Sequence, residues 1–143
     1  MDAKPISDRL SVAGQIRPED IPEIAQAGYR AIICNRPDGE APDQPTFEEI
    51  ETAAEDRGLE ARYMPVVSGR VRDEDAEAFG AALKELPGPI LAYCRSGTRS
   101  ATLWSLAEAE SRPVTDILAK TKRAGYDMSG VVRRIANAGK TPT

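Results

Sequence analysis

The stretch Pro89-Ile90-Leu91-Ala92-Tyr93-Cys94-Arg95-Ser96-Gly97-Thr98-Arg99-Ser100 decides how the rest of the chain is read. Its first five residues are a short apolar run bounded by Gly88 and Pro89, which reads as a buried strand. Residues 101–110 read as a helix. A strand, a tight turn containing Gly97 and a helix start would gather backbone N–H groups around one point, at the positive end of the helix dipole. Cys94 lies in that field, which favours its thiolate, and Arg95 and Arg99 stand within five positions of it. The arrangement predicts an anion cradle with a nucleophile at its floor. The competing reading is an inert buried cysteine before an ordinary glycine turn. Against it stand the place of Cys94 at the strand's end and the small residues Ser96, Gly97 and Thr98, which leave the backbone open to a ligand.

Outward from this loop, strands and helices alternate. Residues 11–16 form a first strand, residues 18–27 a short helix limited by Pro22 and ended by Gly28, and residues 30–34 a second strand followed by the polar loop 35–40. Thr46-Phe47-Glu48-Glu49 has capping-box spacing, and Phe47, Ile50, Ala53 and Ala54 make the apolar stripe of a helix that Gly58 closes. A third strand spans 61–67, and a helix over 73–86 begins acidic, as the helix dipole prefers, and stops at Pro87. The helix after the cysteine loop is apolar on more than one side, so it should be central. Helices over 114–124 and 129–138 end at Gly125 and Gly139. The pattern implies an α/β fold, one domain over residues 1–143, with a mostly parallel sheet of about four strands covered by helices on both faces. Ligands of such sheets bind beyond the carboxyl ends of the strands, where loops 35–40, 68–72 and 94–99 would meet.

The chain of 143 residues contains no histidine, and that excludes Ser-His-Asp and Cys-His catalysis together with the commonest metal ligand. Cys34 and Cys94 have no CxxC partners, so neither a zinc site nor any other metal or cofactor is implied. A net charge of −4 with interleaved signs offers no basic stripe for nucleic acid. No apolar stretch is long enough for a membrane span, and the first residues lack a signal core, so the expected location is cytoplasmic and the cysteines are expected as thiols.

The run Gly14-Gln15, then Ile33-Cys34-Asn35-Arg36-Pro37-Asp38-Gly39-Glu40, then Met64-Pro65-Val66, then the loop from Tyr93 to Ser100, resembles the phosphatase-like domain of beta-lactamase-hydrolase-like proteins across nearly the whole chain. The resemblance implies the three-layer fold of dual-specificity cysteine phosphatases. Because that family is often described as a sulfurtransferase, it also implies persulfide chemistry, with a persulfide dioxygenase, fused in some members, as a partner acting in trans. Cysteine phosphatases carry His-Cys, five residues and then Arg; here Tyr93 replaces the histidine and four residues separate Cys94 from Arg99, a spacing similar to that of rhodaneses. The position matching the phosphatases' general-acid aspartate is Ser68. Without that acid an alkoxide must leave unaided, forfeiting about 10²–10⁴ in rate, whereas sulfite and thiolates are good leaving groups.

These readings favour a sulfurtransferase carrying a persulfide on Cys94 between a small sulfur compound, thiosulfate or glutathione persulfide, and a thiol acceptor. The alternatives are a phosphatase acting on a phosphate ester through a Cys94 phospho-enzyme, and a non-catalytic anion-binding module. Cys94 and Arg99 are the catalytic candidates, with Arg99 closing the loop and pairing with the oxyanion. Arg95, Ser96, Gly97 and Thr98 are anion-binding candidates. The resemblance adds Arg36, Asn35 and Gln15, and gives Glu40 less support. Cys34 reads as core, or as a resolving thiol if its strand lies beside that of Cys94. Lys120, Lys122, Arg123, Arg133 and Arg134 read as a solvated helix face.

Overall fold

Every residue of Ile90–Tyr93 is apolar, and a strand with no polar face has to lie inside a sheet that is covered on both sides. The computed structural model, which describes residues 2–143, places it there. The chain runs β1 (Lys4–Pro5), β2 (Leu10–Ala13), α1 (Ile21–Gln26), β3 (Ala31–Cys34), α2 (Phe47–Asp56), β4 (Glu60–Tyr63), α3 (Asp73–Glu85), β5 (Ile90–Tyr93), α4 (Thr98–Ala107), α5 (Val114–Arg123) and α6 (Val132–Ala136). Single 3₁₀ turns occur at Pro18–Asp20 and Ser129–Val131. The strand order is β1-β2-β5-β3-β4. Only β1 is antiparallel to its neighbour.

Side chains alternate across each strand, so the sheet feeds two cores. On one face Val12, Ile33 and Ala92 pack with Phe79 of α3, Trp104 of α4, Ile117 of α5 and Ile135 of α6. On the other, Ile32, Cys34, Leu91 and Tyr93 pack with Ile21 and Ile24 of α1 and Ile50 and Ala54 of α2. Each fully buried large side chain contributes about 1.5–3 kcal/mol relative to exposure. Helix α4 is buried from Arg99 through Leu106, as its apolar periphery predicts. Thr46 caps α2 by accepting a hydrogen bond from the Glu49 amide at 3.2 Å.

The structure differs from the sequence reading at element ends and in one strand. The sheet has five strands rather than about four, because Lys4–Pro5 pairs with β2. Two residues with a proline carry no periodicity, so nothing in the sequence marks them. The third predicted strand stops at Tyr63; beyond it Met64 and Val66 still donate to the Cys34 and Asn35 carbonyls at 2.8 and 3.0 Å, but as an irregular edge. Helix α4 begins at Thr98, inside the signature loop, and α6 is only five residues long. Among the described residues no helix is long and apolar enough to cross a membrane.

Candidate active site

The parallel strands β2, β3 and β5 end side by side, so the residues just past them, Gln15, Asn35-Arg36 and Cys94, meet at one edge of the sheet. Gly97 sits at φ 95°, the left-handed region, and this turns the chain from β5 into α4 within three residues of Cys94. The turn directs the Gly97 N–H at the Cys94 sulfur, 3.1 Å away. Cys94 is 1% exposed. The loop is pinned from outside as well: the Gln15 amide donates to the Arg95 carbonyl at 3.2 Å, and the Tyr126 hydroxyl donates to the Ser96 carbonyl at 3.1 Å. A side chain at Gly14 would stand 2.9 Å from the Arg95 carbonyl, and one at Gly97 would strike the Tyr126 hydroxyl.

Arg99, in the first turn of α4, is held by Glu40, the least supported of the site residues read from the sequence. Its Nη1 and Nη2 bind the two oxygens of Glu40 at 2.7 and 2.9 Å, and Nη1 also donates to the Val66 carbonyl at 2.9 Å. The Glu40 hydrogen bond is the main cause that raises the Arg99 guanidinium above its ordinary range, and the neighbouring Cys94 sulfur adds to it. Arg36 reaches the same carboxylate through Nε at 2.9 Å and binds the Gln15 side-chain oxygen at 3.0 Å. Glu40 thus lies between two buried guanidiniums. Its hydrogen bond with Arg99, supported by Arg36, brings its pKa down to about 2. The signal for Glu40 was present only as a carboxylate four residues after Arg36 in a polar loop.

Asn35 is fully buried and serves the scaffold. Its amide group donates to the Met64 carbonyl at 3.0 Å and accepts from the Ser100 hydroxyl at 2.8 Å, tying β3 and the Met64–Val66 edge to α4. Gln15, Asn35 and Arg36 therefore stand behind the loop, where they brace Arg99 and the strand ends. Arg95 is exposed, and among the described residues its side chain has no partner. Ser96 and Thr98 share a hydroxyl contact of 3.1 Å at the loop's outer edge.

Cys34 aligns with Tyr93 across the β3–β5 pair, one step from Cys94, but it belongs to the core on the α1–α2 side. Burial pushes its thiol up to about 11, and the thiol donates to the Arg36 carbonyl at 3.2 Å. It is held as a thiol within the core on that side of the sheet. Tyr93 is buried beside it, and desolvation raises its hydroxyl pKa well above the ordinary range.

A cleft of about 520 Å³ opens beside the loop, lined by Arg95, Ser96, Thr98 and Arg99 together with residues of the loop after β4 and with Val131 and Arg134. Among the described residues no carboxylate lines it. Asp38 is engaged with the Phe47 amide at 2.9 Å, and Asp73 with Arg134 and Thr141. Arg134 does not belong to a solvated face: its side chain is 19% exposed and donates to the Val71 carbonyl at 2.8 Å and to Asp73 at 3.0 Å.

A cysteine and an arginine at the ends of a strand-to-helix loop, beyond the carboxyl edge of a parallel sheet, define the class as cysteine-phosphatase-like. The family model of the phosphatase-like domain of beta-lactamase hydrolase-like proteins matches residues 2–111, and the chain belongs to that family. A beta-lactamase hydrolase-like protein of Agrobacterium fabrum is 36% identical over 93% of the chain; the chain spans 31% of that protein's length. The crystal structure of a candidate phosphatase from Neisseria meningitidis is 34% identical with a TM-score of 0.85, covering 94% of this chain and 96% of that one. The active form of Tk-PTP shares the fold at 20% identity and a TM-score of 0.72, covering 94% and 93% of the two chains.

Proposed function

We propose that Cys94 is the nucleophile of a two-step group transfer whose leaving group departs without help from a general acid. The observation that carries this reading is the juxtaposition of the Gly97 amide and Arg99 at the Cys94 sulfur, beside a cleft that no carboxylate lines. In the first reading the group is a phosphoryl. The Cys94 thiolate attacks phosphorus, the ester or anhydride oxygen leaves with the bonding pair, and water then releases phosphate and regenerates the thiolate. The phosphatase description of the Neisseria structure and the family model support this reading better than they support sulfur transfer. Arg99 and the loop amides stabilise the transferring oxyanion. With no acid, the reaction is confined to leaving groups of low basicity: aryl, acyl or anhydride phosphates.

A second reading, sulfur transfer, is favoured by the four-residue spacing between Cys94 and Arg99 and by the same lack of a carboxylate. Here the thiolate attacks the outer sulfur of thiosulfate or a persulfide, the sulfur–sulfur bond breaks, and sulfite or a thiolate leaves with its electron pair. A thiol acceptor then takes the sulfur from Cys94. A persulfide dioxygenase acting in trans would consume the product.

The deciding experiment follows nitrophenyl phosphate, an alkyl phosphate and glutathione persulfide on one preparation, with mass spectrometry of the Cys94 adduct. The first reading requires nitrophenyl phosphate turnover through a Cys94 phospho-adduct, with alkyl phosphate slower by about 10² or more. A Cys94 persulfide without phosphate turnover would establish the second. No adduct of either kind would leave only the anion-binding module.

A further inference from the structure

The cleft beside the loop is too large for the group that reacts. A tetrahedral oxyanion displaces a few water volumes of about 30 Å³ each, while 520 Å³ lies in the range of sites for whole small molecules, roughly 300–1,000 Å³. Its lining is also unlike that of four other surface clefts. The chain carries a net charge of −4, and four other surface clefts each include a carboxylate, among them Asp73, Asp127, Glu108 and Asp75. This one presents three arginines and no carboxylate.

The three arginines differ in how they are held. Arg99 is committed to Glu40 at the reacting end. Arg95 has no partner among the described residues. Arg134, which lines the same cleft, keeps its Nε buried without a hydrogen-bond partner, the only buried side-chain nitrogen or oxygen in that state among the described residues. Its counter-ion Asp73 does not line the cleft, and the Asp73 carboxylate also accepts from the Thr141 amide and hydroxyl at 3.1 and 2.9 Å. Val71 and Val131 add apolar lining to the same cleft.

We propose, on the basis that Cys94 is the reacting group, that the substrate is a small organic anion with a second negative group remote from its reacting end, and that Arg134 with Arg95 receives that group. A second phosphate and the carboxylates of a peptide-like thiol such as glutathione are two sources of the same chemistry. Both place a fixed anion across an apolar spacer from the reacting atom.

The test measures binding to the full chain by calorimetry, with propane-1,3-diphosphonate against propylphosphonate at low salt. A parallel arm compares the KM of glutathione persulfide with that of cysteamine persulfide, which lacks carboxylates. The expected preference for the doubly charged member is about tenfold or more in at least one arm, shrinking as salt rises. The diphosphonate arm identifies a phosphate source and the glutathione arm a carboxylate source. Arg134→Gln should bring the preference down to about two in the diphosphonate arm, the statistical value of a two-ended ligand, and to about one in the glutathione arm, while Arg134→Lys retains most of it. Asp73→Asn should increase it. A wild-type preference of about two or less in both arms overturns the subsite, as does a preference that Arg134→Gln leaves intact. Because diphosphonate binding needs no turnover, a preserved preference without any Cys94 adduct would remove the group-transfer reading and leave the subsite standing.

Discussion

Cys34 and Cys94 lie one residue out of step on adjacent parallel strands, and both are almost fully buried, at 2% and 1% exposure. Burial does not distinguish them. The difference lies in which groups point at the sulfur. Cys34 is the last residue of its strand; its side chain turns into the apolar α1–α2 layer, and its thiol acts as a donor to a carbonyl. Cys94 is the first residue past its strand, and its sulfur accepts from the Gly97 N–H with the Arg99 guanidinium beside it. Burial raises the Cys34 thiol in spite of its hydrogen bonds with Tyr93 and Arg36, whereas the Cys94 sulfur faces an amide N–H and a guanidinium, donors of the kind that favour a thiolate.

The largest effect should come from exchanging the two cysteines' fates. Cys94→Ser should lower turnover by about 10³ or more, while Cys34→Ala keeps activity within about threefold and loses roughly 1–2 kcal/mol of stability. Peptide mapping after brief alkylation at neutral pH checks the same contrast, with Cys94 labelled first. Equal labelling would erase the distinction.

Next comes the carboxylate that holds Arg99. Glu40→Gln should cost about 1–3 kcal/mol, because two buried guanidiniums lose their shared counter-ion, and it should reduce kcat by an order of magnitude or more as Arg99 loses its fixed orientation. Since Glu40 is depressed from 4.5 to about 2 in the folded protein, its contribution is complete above about pH 4.5 and is lost as pH falls toward 2. Urea unfolding across that window should show an acid-limb decline in the wild type that is reduced in the variant.

Gly97→Ala tests the donor itself. The substitution strains a positive-φ position and drives a methyl group against Tyr126, so it should destabilise the protein by about 1–3 kcal/mol and slow Cys94 alkylation as the Gly97 amide shifts. An unchanged alkylation rate would show that this amide does not govern the sulfur. The smallest effect belongs to Tyr126→Phe, which removes one hydrogen bond to the Ser96 carbonyl and should cost about 0.5–1.5 kcal/mol by thermal unfolding.

Apolar runs and glycine stops made β2, β3, β5 and the helices α2, α3 and α5 legible to within a few residues. Two-residue β1 escaped because so short a segment has no period. The signature loop from Cys94 to Arg99 was legible as well, since a nucleophile, a turn glycine and a cation at close spacing are all local. Arg134 was misread for the opposite reason: a basic residue on an amphipathic helix looks solvated until the Ser68–Val71 loop folds over it.

The sequence by itself determined the parallel α/β layering, the turn that carries Cys94, and the absence of histidine chemistry, because these depend on residue type and on neighbours a few positions away. Only the tertiary structure decided that Glu40 clamps Arg99 from 59 positions away, that Gln15 holds Arg36 and Asn35 holds Ser100, and that Arg134 lines the same cleft as Arg95. An ion pair is set by where folded backbones bring two charges. In a chain with 19 basic and 23 acidic residues, spacing along the sequence leaves far too many pairings open for any one to be chosen before the sheet edge assembles them.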